Sequence, residues 1–374
     1  MGWQRSQFAD ASKVLQMRII TIKMTADSLF FIKVRPMMSR IHALFDSPGR
    51  IALLGLFLAG SVAADTVTVY SARNEQLIKP LFDAYTQETG TQIQVLTDKE
   101  GPLLERLKAE GAKTPADVLI TVDAGNLWQA SEMKLLRAIK SPVLNANIPA
   151  NLRDPRGEWY GLSIRARTII YNKKAVNPLN LSTYEALANP EWKGKLCLRT
   201  SKKVYNQSLV ATMIATLGEK QTEQVVRGWV ANLATDVFPD DNALIKAVAA
   251  GQCDVGIVNT YYLARQLDKD PNLPVGLFWA NQKARGVHVN ISGAGVTRYA
   301  PNAAGGQKLI EWLSAGKAQE IYTDKDFEYP ANPHVKPDSI IRQWGPFRMD
   351  LINVSKAGEL QAAATRLMDR AGYR

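Results

Sequence analysis

Cysteine is nearly absent. Cys197 and Cys253 are the whole supply in 374 residues, and they stand 56 positions apart with no C-x₂-C spacing. That makes a thiolate metal site a weak reading and leaves either one disulfide or two buried thiols; an oxidising compartment favours the disulfide. Also lacking are G-x-S-x-G, H-E-x-x-H, a P-loop and G-x-G-x-x-G, so no familiar nucleophile, zinc or cofactor motif points to an enzyme. No run of Lys or Arg and no nucleic-acid motif is present, so the basic excess is diffuse and implies no nucleic-acid partner. Apolar runs stay well short of 18 residues, the length a membrane span needs.

What remains describes an ordinary globular chain, 46% hydrophobic and 22% charged. The first 64 residues stand apart. "RIALLGLFLAGSVAAD" (50–65) has a positive residue, an apolar run from Ile51 to Val62 and small residues at Ala63 and Ala64. That is the pattern of a secretory signal peptide, with a start at Met38 giving a leader of conventional length. Residues 1–64 are therefore expected to be a leader, and the remainder an exported protein of the periplasm. The leader holds eight Lys/Arg and three Asp, so 38 basic and 32 acidic residues are left, a net charge near +6.

From Asp65 the pattern alternates. "DTVTVYSA" reads as a strand. "NEQLIKPLFDAYTQETG" follows with a helical stripe at Leu77, Ile78, Leu81, Phe82 and Tyr85, closed by Gly90. "TQIQVLTD", "LLERLKAEG" and "ADVLITVD" continue the alternation, and "KLCLRTS", "SLVATMIATLG" and "DVGIVN" repeat it later. Such alternation implies an α/β fold with doubly wound, mostly parallel sheets, in two lobes with a ligand cleft between them. Ligands then bind beyond the carboxyl ends of strands, which directs attention to the loops "YSARNEQ", "TVDAGN", "TSKKVYNQS" and "NTYY".

Two of those loops carry tyrosines: Tyr205 in "VYNQSL", and Tyr261 with Tyr262 in "NTYY", 56 residues after Tyr205. Together with "VTVYSARNE", "KAEGAKTPADVLITVD", "WYGLSIRARTIIYNKKAV" and "ISGAGVTRYAPN", these segments resemble type II periplasmic solute-binding proteins over essentially all of 65–374. The tyrosine spacing resembles the ferric-ion-binding branch that feeds ABC importers. The resemblance implies two lobes closing on one Fe³⁺ and a small anion, with delivery to an inner-membrane ABC permease by a monomeric carrier. It implies Tyr205, Tyr261 and Tyr262 as iron ligands, with Arg73 and Arg165 as anion-binding residues. Where some members have a histidine and a glutamate, this chain has Asn74 and Val122, so it resembles the tyrosine-rich subclass in which a carbonate-like anion completes the shell. Glu75 occupies a ligand-tyrosine position of some relatives and is a possible extra ligand. The implied N-terminal lobe is 65–165 plus 292–342, and the C-terminal lobe 166–291 plus 343–374, with hinge crossings near 143–165 and 285–292.

The chemistry is consistent with this. Fe³⁺ is hard and favours anionic oxygen. A phenol, with pKa near 10, ionises only when a cation draws off its proton, so binding releases protons. Three phenolates balance three charges. Arg73, Arg165 and Arg167 would lower the phenol pKa values and hold the anion, and Arg165 and Arg167 share one strand face. Plainer readings stand beside each: a tyrosine pair often only packs, Arg73 could be a solvated charge, and Arg167 could pair with a carboxylate. His288 and His334 fall on no ligand position. The competing function is an oxyanion or small organic ligand such as a phosphonate, thiamine or polyamine. A pure anion site would leave three phenols without a task.

Overall fold

The computed structural model describes residues 65–374; the expected leader, 1–64, lies outside them. Among the described residues no helix is long and apolar enough to cross a membrane. The strands are β1 (Thr66–Ser71), β2 (Gln92–Thr97), β3 (Val118–Val122), β4 (Tyr160–Asn172), β5 (Leu196–Cys197), β6 (Val255–Asn259), β7 (Val275–Phe278), β8 (Val289–Val296) and β9 (Tyr329–Pro330). They hydrogen-bond in the order β2-β1-β3-β8-β4-β6-β5, with β7 and β9 also on β4.

The early alternation folds as the pattern dictates. In the helix Glu75–Thr89 the buried stripe is Ile78, Leu81, Phe82 and Tyr85. The Asn74 side chain accepts from the Gln76 N–H at the start, and Gly90 closes the end with φ 76°, a left-handed conformation that glycine adopts without strain. β1 pairs in parallel with β2 and β3, and β5 with β6. The sheet is nonetheless mixed. β8 runs antiparallel to β3 and β4, and β4 runs antiparallel to β6, β7 and β9.

β4 is the element that joins the two halves. Its 13 residues are almost wholly buried; Tyr160–Ala166 pair with β8, and Arg167–Tyr171 with β6. The partners fit closely because "SGAGV" supplies β8 with glycines: a Cβ on Gly293 would lie 2.5 Å from the Tyr160 carbonyl oxygen. A strand this long can carry Arg165 and Arg167 across the junction on one face.

β5 is shorter than "KLCLRTS" suggests. Only Leu196 and Cys197 pair with β6, and Arg199 makes an isolated bridge to Phe238. A disulfide joins Cys197 to Cys253, with Cα atoms 5.9 Å apart. It ties β5 to the residues just before β6, the two strands that lead into the tyrosine-bearing helices.

Candidate functional site

Both tyrosine segments begin helices that follow buried strands. Thr260–Lys269 starts directly after β6, so Tyr261 and Tyr262 lie in its first turn. Val204–Leu217 starts after the loop that leaves β5, with Tyr205 at its second position. The Asn206 amide donates to the carbonyls of Arg199 and Thr200 (2.9 Å each), which fixes that loop against the helix start.

The three phenols converge. The Tyr261 hydroxyl lies 3.4 Å from the Tyr205 hydroxyl, and the Tyr261 and Tyr262 rings stand 4.2 Å apart at 33°. Tyr205 and Tyr261 are buried and Tyr262 is half-buried. Burial pushes the Tyr205 phenol above its ordinary pKa, with Arg165 pulling the other way and Tyr262 adding to the rise. Tyr261 is raised well above, first by burial and then by its two tyrosine neighbours. Without a cation, both are neutral phenols at physiological pH.

Cations surround the cluster. The guanidinium of Arg165 is 5.2 Å from the Tyr205 ring centre, that of Arg199 5.5 Å and the Lys203 ammonium 4.7 Å; Arg265 stands 5.0 Å over Tyr261. Arg165 donates to the Ile291 carbonyl, and burial works against its charge. Tyr205, Glu328, Tyr261 and Asp123 outweigh that and hold its pKa high. Among the described residues, the buried Nε atoms of Arg165 and Arg199 have no hydrogen-bond partner. The buried Nε of Arg73 is likewise without a partner, and Arg199 also stands 3.5 Å from an Asp241 carboxylate oxygen. All three arginines thus keep a donor open to an anion.

The other expected residues are placed differently. Arg73 is buried and ion-paired with Asp326 and Glu328, and it donates to Ser292 Oγ at 2.7 Å. Arg167 donates to Asn206 (3.0 Å), Asp241 (3.0 Å), Asn259 (3.2 Å) and the Ile257 carbonyl (3.0 Å). Both guanidinium groups face carboxylates because a buried charge without a partner is too costly to keep. Glu75 is exposed on the first turn of its helix, and among the described residues no hydrogen bond joins it to the tyrosines. Arg199 is the residue that sequence reasoning missed. Its position after "KLCL", in a strand-to-helix loop, was the available signal.

Residues 113–346 match the model of a family described as bacterial extracellular solute-binding protein. The chain belongs to that family. It is 41% identical over 314 residues to iron uptake protein A1 of Synechocystis sp., covering 82% of this chain and 87% of that one. Iron uptake protein A2 of the same organism is 40% identical, with 87% and 96% covered. A Trichodesmium FutA (IdiA) structure, in complex with iron and citrate ligands, superposes with TM-score 0.80 at 45% identity, covering 83% of this chain and 100% of that one. The fold is thus the two-lobed type II periplasmic binding-protein fold, and the relatives it resembles are iron uptake and ferric-binding proteins.

Proposed function

We propose that this chain is the periplasmic binding component of an ABC importer that captures Fe³⁺ through Tyr205, Tyr261 and Tyr262 and delivers it to an inner-membrane permease. The observation that carries this is the convergence of three phenols from two separate helices within a ring of cations. Hardness matching favours phenolate oxygen for Fe³⁺, and three phenolates neutralise it. Arg165 and Arg199, each with a buried Nε open, hold a small anion such as carbonate in the remaining coordination positions. Arg73, whose buried Nε is open as well, can join them, and Arg167 supports the site from its pair with Asp241. The lobes, 65–165 plus 292–342 and 166–291 plus 343–374, close on the ion by a hinge motion along β4 and β8. The chain works as a carrier, not an enzyme.

The test is a visible absorption titration of the exported protein with ferric citrate in bicarbonate buffer. Fe³⁺–phenolate coordination gives a charge-transfer band, and a saturable one-to-one band is the expected result. A protein that stays colourless and takes up no iron with the anion present overturns the ferric assignment and favours an oxyanion or organic ligand held by Arg165 and Arg199.

A further inference from the structure

Asp123 follows β3 in a conformation that its residue type avoids. Its φ is +90° with ψ 127°, and it is fully buried. A non-glycine residue held there is strained and persists only when its surroundings demand it. Helix capping is not the demand. Asp123 does cap the helix Ala124–Glu132 by accepting from the Gly125 N–H, but N-caps ordinarily do so with extended backbone and negative φ.

The strained turn aims the carboxylate at a helix from the other half of the sheet. Ser208 Oγ donates to both carboxylate oxygens, at 2.9 and 3.0 Å, across 85 residues of sequence. Asn290 on β8 donates to one of the same oxygens at 2.8 Å. Ser208 is fully buried and lies one helical turn beyond Tyr205, so the two side chains share a face of Val204–Leu217. Gln207, the residue before it, accepts from Gln361 at 2.8 Å. The first turn of the Tyr205 helix is therefore anchored to the end of β3.

We infer that Asp123 is a positioning residue for the metal site: through Ser208 it holds the first turn of the Val204–Leu217 helix so that Tyr205 meets Tyr261. Its purpose rests on the ferric reading, but its geometry does not.

The test uses Ser208→Ala and Ser208→Thr in the exported protein. In the iron-free state, amide hydrogen exchange at Tyr205–Ser208 is expected to quicken in Ser208→Ala and to return to the wild-type rate in Ser208→Thr, which keeps the hydroxyl. On titration with ferric citrate and bicarbonate, Ser208→Ala is expected to bind about tenfold more weakly, the scale of one buried hydrogen bond to a charged group. Its charge-transfer maximum shifts, and Ser208→Thr restores both. Asp123→Gly relieves the backbone strain and removes the grip, so it is expected to lose the same affinity while remaining folded. Wild-type exchange, affinity and band in Ser208→Ala, with only a lower Tm, overturn the inference. A wild-type protein with no band at all overturns the ferric reading instead, and the exchange rates then decide the role of Asp123 by themselves.

Discussion

The Tyr205 and Tyr261 hydroxyls lie 3.4 Å apart although their helices follow different strands. Two neutral phenols at that distance share a hydrogen bond, and two phenolates would repel. The pair is stable as a bridge to a cation or as protonated phenols, and the two states interconvert by metal binding. Replacing Tyr205 or Tyr261 with Phe removes one anionic ligand while preserving the packed ring. We expect at least a hundredfold loss of Fe³⁺ affinity and a weakened charge-transfer band for each, read by titration against a chelator, with Tm nearly unchanged. Unaltered affinity in both variants would remove these tyrosines from the site.

Proton release gives the binding equilibrium a sign. Tyr205 and Tyr261 are raised above the ordinary phenol pKa, chiefly by burial, so both carry protons in the iron-free protein across the physiological range. Metal binding must displace those protons, so affinity rises with pH by about tenfold per unit for each proton released. Titrations between pH 6 and 8 at fixed bicarbonate check this, and a pH-independent affinity would mean that neutral phenols suffice. The same slope makes acidification a route to release.

The Arg167–Asp241 pair lies behind the tyrosines and is nearly solvent-free, at 2% and 0% side-chain exposure. Asp241 also accepts from the Asn259 N–H at 3.0 Å, at the start of the Tyr261 helix, and Arg199 is 3.5 Å from its other oxygen. Removing the carboxylate with Asp241→Ala strands a buried guanidinium. That typically costs about 3–5 kcal/mol, which thermal or urea unfolding will register. A loss under 1 kcal/mol would show that water reaches Arg167.

The disulfide gives a separate handle. It closes a chain segment of 56 residues between the strands that lead to the two tyrosine helices. By loop entropy its loss destabilises the protein by about 4 kcal/mol. The Cys197→Ser, Cys253→Ser double variant should unfold at a correspondingly lower urea concentration, and a tyrosine site with looser walls should bind iron more weakly. Equal stability in the variant and the oxidised wild type would show that the bond adds nothing.

Much of this was legible in the sequence, and what was not has a common cause. The strand-to-helix loops could be read from the α/β alternation, but the choice of the tyrosines within them came from the resemblance to the ferric-binding branch, since a tyrosine pair by itself more often only packs. The helical stripe of Glu75–Thr89 emerged as its periodicity dictates, since local pattern determines local structure. Arg73 was a different case. Its partners Asp326 and Glu328 lie about 250 residues away, and no periodicity announces a pair at that distance. Arg167 and Asp241 are separated by 74 residues and hid in the same way. Arg199 was overlooked because β5 is cut to two residues, so the strand end that presents it comes earlier than the apolar run suggests. The antiparallel placement of β4 and β8 also escaped, because a fully buried strand shows no direction in its composition.

His288 offers a prediction about folding rather than binding. It is buried, its Nδ1 lies 3.0 Å from Thr212 Oγ1, and its pKa falls to about 3, first through burial and then through Arg167, Arg285 and Arg165. The folded protein therefore holds this imidazole neutral, while the unfolded chain protonates it near pH 6.5. Between those values the unfolded state binds the extra proton, so the folded state loses stability as pH falls from 6.5 toward 3, by about 1.4 kcal/mol per unit. Above pH 6.5 neither state binds it and the effect vanishes. His288→Gln removes the titration while keeping a polar side chain of similar reach. Its urea midpoint should fall less steeply with acid than that of the wild type, and the two curves should run parallel above pH 7. Identical slopes from pH 6.5 down to 4 would mean that His288 takes up its proton in the folded state as readily as in the unfolded chain.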